Sequence, residues 1–449
     1  MTTMYTLNSP MQPSSLPTSF KAGLGLYSAL WYAAMPLALC SQRLRSGLWP
    51  RIRSRPEPRE TDIWIQAASA GECTLVQTLL QSWPQDEPIS CLATTNTPQG
   101  MQVLAGTTPP RHMIFTPAYA PLDTGPRVRK ALNALRPRVV VLLETELWPN
   151  LLTACAKRGI PVLLINARMT PKSLSWYTRV RELGPRIQPQ RILAVDQDQA
   201  CRYSYIFGSQ AVDTMRNIKF DRWSGVQEPL PYVQNPLSEL FKAQSRLVVY
   251  GSIRREEEPY LVPVIARMAS LHPRSIQAVF PRHMHRIPAW KKALQETGLS
   301  WKLRSHIQDS VPQGTIILWD TMGELEPAYA MARAVFIGGS LAPKGGQNFL
   351  ESLAQGVVPC IGPWWSNFSW VGPEIVDQGL LTQVSGPEDL VQALSHDLRS
   401  PQSREKVFQR FAQYLRQRQG GVHDALSAIR RELGKDHYGI ETQAKEKLV

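Results

Sequence analysis

The chain has 449 residues, 43% of them hydrophobic and 19% charged, which is the balance of a folded protein with room for two or three domains and excludes a disordered one. Fifty Lys and Arg against 36 Asp and Glu give a net charge of +14, a field that favours anionic partners such as a nucleotide, nucleic acid or an acidic membrane surface. The six cysteines are scattered without a CxxC pair, which argues against a structural zinc site or a disulfide framework.

Residues 1–20 are polar and rich in Ser and Pro and read as a disordered extension. Between Lys21 and Arg43 runs an uncharged segment long enough to enter a bilayer, interrupted by Pro36. A cleaved signal peptide fits poorly, because no small-residue cleavage site follows cleanly. A buried core helix is possible on pattern, and a membrane anchor fits best. Arg43, Arg45, Arg51, Arg53 and Arg55 follow directly, and such a basic flank would keep the rest of the chain on the cytoplasmic side. Whether the segment spans the bilayer or lies on it stays open.

From Asp62 onward, short apolar runs alternate with amphipathic stretches of helical length. The first series is 63–67, 89–93, 113–115, 139–143, 162–165 and 192–195; the second is 247–250, 276–280, 315–318, 334–337 and 357–361. Alternation of this kind predicts two α/β halves, each with a parallel sheet covered on both faces. Pro229, Pro231 and Pro236 mark the connector. The expected divisions are a basic flank and anchor over 21–56, a first domain over 57–225, a second over 226–434 ending in a helical tail that packs across both halves, and a frayed end over 435–449. A ligand is expected in the cleft between the halves.

Chemistry-bearing residues fall at the carboxyl ends of the predicted strands, where open α/β sheets bind ligands. Leu142–Asn150 reads LLETELWPN and sets Glu144 and Glu146 after the fourth run. They suit a site, with helix capping as the competing reading. Ala68–Glu72 reads ASAGE after the first run, and Glu72 serves equally well as a cleft carboxylate or as a residue matching a helix dipole. In the second half, Gly251-Ser252-Ile253-Arg254 and Pro281-Arg282-His283 end neighbouring strands with a hydroxyl and cationic groups suited to a phosphate. Each turn alone reads as ordinary surface; the pair carries more. Asp320-Thr321-Met322-Gly323-Glu324 forms another strand-end turn. Gly338-Gly339-Ser340 permits close backbone approach to a ligand, and Asn348 and Glu351 share a helix face from which a carboxylate can take both hydroxyls of a ribose. No Walker A or GxGxxG motif occurs, which removes the main support for an ATPase or a dehydrogenase.

These motifs, with Tyr119–Asp123, INARMTPKS at 165–173, NIKFD at 217–221, GGSLAPKGGQNFLE at 338–351 and GPWWSNF at 362–368, resemble the 3-deoxy-D-manno-octulosonic acid (Kdo) transferases over most of residues 60–430. The resemblance implies a GT-B fold of two Rossmann-like domains facing a cleft, with an N-terminal membrane-associated helix. It implies an inverting, metal-independent transfer of Kdo from CMP-Kdo to a lipid A precursor at the cytoplasmic face of the inner membrane, with no further cofactor and no nucleic-acid partner. By the same resemblance Glu72 is the general base, Glu144 and Lys219 stabilise the transition state, and Pro281, Arg282, Met322, Gly323, Glu324, Asn348 and Glu351 contact CMP. Ser252, Arg254, His283, Gly339 and Ser340 complete the expected donor site.

The chain departs from the family pattern in three motifs. Ile253-Arg254 stands for Thr-His, Arg216 for the glycine before NIKFD, and Gln347 for a histidine. Two other readings compete: a GT-B enzyme using a different sugar nucleotide, such as a hexosaminyl transferase or an epimerase, and a basic protein that binds nucleic acid or membrane without catalysis. ETELWPN weighs against the first, and the dispersal of the basic residues weighs against the second.

Overall fold

The computed structural model describes residues 18–40, 42–53, 60–85, 88–178, 188–225 and 228–434. The chain divides into two compact units: residues 1–224 with 418–449, and Gly225–Gln417.

In the first unit seven parallel strands lie in the order β3-β2-β1-β4-β5-β6-β7. They are β1 (Ile63–Ala67), β2 (Ile89–Thr95), β3 (Met113–Tyr119), β4 (Val139–Leu143), β5 (Val162–Ala167), β6 (Arg191–Ala194) and β7 (Val212–Thr214). Every residue of β1, β4 and β5 is buried, because helices cover both faces of a parallel sheet. Successive side chains point to opposite faces. Ile63, Ile65, Val139 and Val141 therefore pack with Leu75, Val76 and Leu79, while Trp64, Val140 and Leu142 pack with Leu132, Leu151 and Tyr203.

The second unit repeats the plan in the order β10-β11-β9-β8-β12-β13-β14. Its strands are β8 (Leu247–Ile253), β9 (Ile276–Pro281), β10 (Trp301–Leu303), β11 (Ile316–Leu318), β12 (Ala334–Ile337), β13 (Cys360–Ile361) and β14 (Thr382–Gln383). Both sheets are doubly wound Rossmann-like sheets. Strand order reverses between β1 and β4 in one and between β8 and β12 in the other, and such reversals open ligand crevices at the carboxyl ends. Strands β7, β10 and β14 had no counterpart in the sequence reading. They are two or three residues long, lie at sheet edges, and carry too few side chains to show a period.

The C-terminal tail is divided between the units instead of closing the second. Helix Arg404–Arg416 stays with the second, where the Tyr414 hydroxyl donates to the Val371 carbonyl at 2.7 Å. Helix Gly421–Glu432 belongs to the first, with Val422, Ala425 and Ile429 in the core beneath β4 and β5. Asp221 of NIKFD holds its start, accepting from the Gly420 and Val422 amides at 2.6 and 2.9 Å. Asp221→Ala is expected to cost about 1–2 kcal/mol, the range for losing an N-terminal cap, read as a lower denaturant midpoint with unchanged slope.

At the amino end, helix Thr18–Cys40 contains Pro36 and includes residues 18–20, assigned above to a disordered extension; Phe20 is buried. Among the described residues no helix is long and apolar enough to cross a membrane. Residues 1–17, Arg55 and the expected frayed end at 435–449 lie outside the described residues.

Candidate active site

In the first unit the two strands flanking the reversal deliver the carboxylates. Glu72 enters from β1 in the first turn of helix Ala70–Gln81. Ser69 caps this helix, accepting from the Glu72 amide at 3.3 Å, while the Glu72 carboxylate receives the Ser69 hydroxyl at 2.9 Å and the Ala68 amide at 2.7 Å. The Ser-x-x-Glu spacing is that of a capping box, but the Glu72 carboxylate takes the amide of Ala68, one residue before the cap, in place of the cap's own amide. The cap fixes the carboxylate in one rotamer. Burial pushes its pKa up from an ordinary 4.5 to about 8, reinforced by the negative charges of Glu146 and Glu144, and the two hydrogen bonds only partly oppose this.

Glu144 and Glu146 enter from β4. Glu144 adopts φ +54°, a left-handed conformation uncommon for a residue with a side chain, and so the chain turns sharply at the strand end. Its carboxylate pairs with the Lys219 ammonium at 2.6 Å, both side chains about four-fifths buried. Glu146 is held by the Trp148 indole N–H at 2.7 Å, and burial raises its pKa. Lys219 is placed from β5. The Asn166 side-chain carbonyl, on another residue of positive φ, accepts from the Ile218 amide at 3.0 Å, and Asn217 accepts from the Lys219 amide at 3.0 Å. The sequence places Glu146 beside Glu144 as a site carboxylate but gives no sign of Asn166, because neither the left-handed turns nor the contact between β4 and β5 leaves a local signal.

A second layer supports these groups. Asp123 accepts from the Asn150 and Leu151 amides at 3.1 and 2.9 Å and so caps helix Pro149–Ala156 from a separate loop; burial raises its pKa to about 6. Arg51, expected in the membrane-facing basic flank, is buried instead. Its guanidinium donates to the Ala120 and Pro121 carbonyls and lies 5.9 Å from the rings of both Trp31 and Trp148. The Ser28 hydroxyl accepts from Asn150 at 3.3 Å, and the N-terminal helices are thereby joined to the ETELWPN segment. Arg216 forms a bidentate pair with Asp424, 2.8 Å at the closer contact. A Cβ on Gly420 would fall 2.3 Å from the Arg216 guanidinium, so this glycine makes the room. The departure at Arg216 is thus accommodated by its pairing with the tail helix.

In the second unit the expected donor residues gather at the carboxyl ends of β8, β9, β11 and β12. Gly251 faces the Tyr329 hydroxyl, 2.1 Å from where a Cβ would be, and Gly338 meets the Ser252 carbonyl at 2.6 Å; only glycine allows this approach of the loops after β8 and β12. Ser252 sits at φ +55°, half-buried, at an irregularity in the pairing of β8 with β9. The Arg282 amide donates to the Ile253 carbonyl at 2.8 Å, which brings the two turns side by side. Arg254 lies 3.4 Å from the His283 ring, and Arg282 and His283 are exposed. Slight desolvation and then the charges of Arg254 and Arg282 lower the His283 pKa, as suits a cationic patch awaiting an anion.

Several of the expected donor residues are engaged within the fold. Ser340 is fully buried, its hydroxyl donating to the Ile337 carbonyl and accepting from the Gly362 amide. The amides of Gly339 and Ser340 donate to the carboxylate of Glu257, which stands between Glu256 and Glu258 at a helix start. Burial opposes ionisation of Glu324, yet hydrogen bonds from Thr321, Arg304 and Trp319 hold its pKa below the ordinary value; it braces the turn that leaves Met322 exposed and Gly323 at φ +87°. The Asn348 amide group donates to Glu351 at 2.7 Å, and Pro281 is buried. Gln347, in place of histidine, bonds through its backbone to the Gly338 carbonyl at 3.0 Å.

A cavity of about 240 Å³ opens at the other, amino end of this sheet beside Arg333 and Arg404, away from the ligand-binding end of the strands. The Arg404 guanidinium there is spent on the carbonyls of Tyr329, Ala332 and Gln355. Among the described residues no group of three or more His, Cys, Asp or Glu side chains is arranged to hold a metal ion.

Residues 41–222 match the family model described as 3-deoxy-D-manno-octulosonic-acid transferase (kdotransferase). A 3-deoxy-D-manno-octulosonic acid transferase of Haemophilus influenzae is 28% identical over 422 residues, covering 90% of this chain and 97% of that one. The enzyme of the same description from Bordetella pertussis is 27% identical, covering 84% and 89%. Among solved structures, a putative UDP-N-acetylglucosamine 2-epimerase of Listeria monocytogenes superposes with a TM-score of 0.53 at 13% identity, over 84% of this chain and 97% of that one. At that identity the likeness speaks to the fold, the GT-B class with two Rossmann-like domains.

Proposed function

We propose that the chain is a Kdo transferase, a glycosyltransferase of lipopolysaccharide assembly, and that it transfers Kdo from CMP-Kdo to a lipid A precursor with inversion at the anomeric carbon; the family model over residues 41–222 and the Kdo transferases of similar sequence support this reading. The observation that carries the mechanism is Glu72, a buried carboxylate at the β1/β4 reversal whose pKa is raised to about 8. A sugar hydroxyl is a poor nucleophile until a base takes its proton, and a carboxylate raised toward the working pH is suited to that work. As the acceptor oxygen bonds to the anomeric carbon, Glu72 takes the hydroxyl proton. The bond from that carbon to the phosphate oxygen breaks, and CMP leaves with the electron pair. Lys219, held against Glu144, supplies positive charge where negative charge develops. Arg254, Arg282 and His283 receive the CMP phosphate, and Asn348 with Glu351 receives the ribose. The three groups at the phosphate, Arg254, Arg282 and His283, are cationic or neutral hydrogen-bonding side chains, a set that suits a phosphate without a metal.

The acceptor implies a membrane surface. On helix Thr18–Cys40, Ala22, Leu26, Ala29, Leu30 and Ala33 are exposed and share one face, whereas Trp31 and Ser28 turn toward the first unit. We place this apolar face on the cytoplasmic leaflet of the inner membrane, with the helix lying along the surface. Leu26→Asp with Leu30→Asp is expected to abolish flotation with anionic phospholipid vesicles; retained flotation would rule out this face.

The activity is tested by incubating the full chain with CMP-Kdo and a tetraacylated lipid A precursor in detergent and EDTA, with products resolved by mass spectrometry. Products heavier by whole Kdo units are expected. No product with freshly made donor, in EDTA or with magnesium restored, would refute the assignment; product only with magnesium would refute the metal-independent mechanism.

A further inference from the structure

We infer that Glu257 sets the phosphate specificity of the second unit: its carboxylate fills the backbone anion nest at the β8/β12 reversal, so that this face accepts a donor with one phosphoryl group and rejects a diphosphate. The inference rests on reading these loops as a nucleotide-sugar site. In doubly wound sheets the ligand's phosphates lie at the strand-order reversal, against converging backbone N–H groups. Here those N–H groups are present and already occupied. Glu257 Oε1 accepts from the amides of Ser340 and Leu341, each at 2.8 Å, and Oε2 accepts from Gly339 at 2.5 Å and Arg254 at 3.1 Å.

Three of the donors are consecutive residues of the loop after β12, with Gly339 at φ +73°, and the fourth comes from the loop after β8. The carboxylate is completely buried and stands where the oxygens of a phosphoryl group would. A second phosphoryl group would have to expel Glu257 or rest against its negative charge with no amide left to receive it. A single phosphoryl group meets no such conflict, because Arg254 and Arg282, the latter exposed, lie on the adjoining turns. One side chain thus joins the two loops and removes the subsite that a nucleoside diphosphate needs.

The test titrates CMP and CDP into the full chain and into Glu257→Ala by calorimetry, with folding of the variant checked by circular dichroism. The unsubstituted protein is expected to bind CDP no more tightly than CMP. In Glu257→Ala, with the amides open, CDP should gain about tenfold over CMP, the scale of a new charge-assisted contact. A second arm uses no nucleotide: inorganic phosphate, followed by ³¹P NMR, should bind Glu257→Ala about tenfold more tightly than the unsubstituted chain, which offers only the cationic side chains of the adjoining turns. If neither nucleotide binds the unsubstituted chain, the cytidine-donor reading fails, and the phosphate arm still decides the role of Glu257.

Tenfold tighter binding of CDP than of CMP by the unsubstituted chain would overturn the inference. So would a folded Glu257→Ala that gains neither CDP nor phosphate, since Glu257 would then be only a clamp. Should the alanine variant fail to fold, Glu257→Gln keeps the volume and removes the charge. An unchanged ratio of CDP to CMP affinity in that variant would equally overturn it.

Discussion

Replacement of Glu72 by glutamine is expected to lower turnover by about 10²–10⁴-fold, the contribution of a positioned general base, while donor affinity measured by calorimetry stays within about twofold of the original, since the base acts after binding. The acid limb of the pH profile of turnover should rise toward about pH 8 in the unsubstituted enzyme and vanish in the variant. Stability should move the other way. The folded chain holds a proton on Glu72 up to about pH 8, whereas the unfolded chain releases it near 4.5. The stabilisation that this proton provides is complete below pH 4.5 and is lost as the pH rises through 8. At pH 8.5 the native protein therefore holds a buried charge that glutamine does not carry. Glu72→Gln should melt at a higher temperature than the parent at pH 8.5, with the difference narrowing toward pH 5. A variant less stable at pH 8.5, or one with undiminished turnover, would show that the carboxylate serves the helix start and not the chemistry.

Lys219→Met is expected to cut turnover by about 10²-fold, the order found when one preorganised electrostatic donor is removed. It should also shift the pH profile. With the ammonium gone from its 2.6 Å contact, Glu144 presents its negative charge to Glu72 uncompensated, and the pKa of Glu72 rises further. The acid limb should then move above pH 8. Lys219→Arg keeps the charge and should restore the position of the limb even if its bulk slows turnover. A profile that stays in place in Lys219→Met would mean that Lys219 does not act on the carboxylate cluster.

The sequence by itself determined the two parallel sheets, because runs such as VVVLL in β4 and IWIQA in β1 are apolar throughout and only a strand covered on both faces buries every residue. It also determined that Glu72, Glu144, Arg254 and Arg282 stand at strand ends, since strand ends are local. Tertiary structure alone decided what each of these groups faces. In sequence Glu257 is one of three consecutive acids at a helix start; it meets the amides of the loop after β12 because β8 and β12, more than eighty residues apart, are neighbours. Arg51 read as part of a basic flank and was buried between Trp31 and Trp148, and helix Gly421–Glu432 followed the second sheet in sequence but packed beneath the first. Amphipathic period says that a face must be covered and is silent on which surface covers it. The raised pKa of Glu72 has the same origin: it requires burial and two further carboxylates supplied by another strand, and no stretch of sequence around residue 72 contains them.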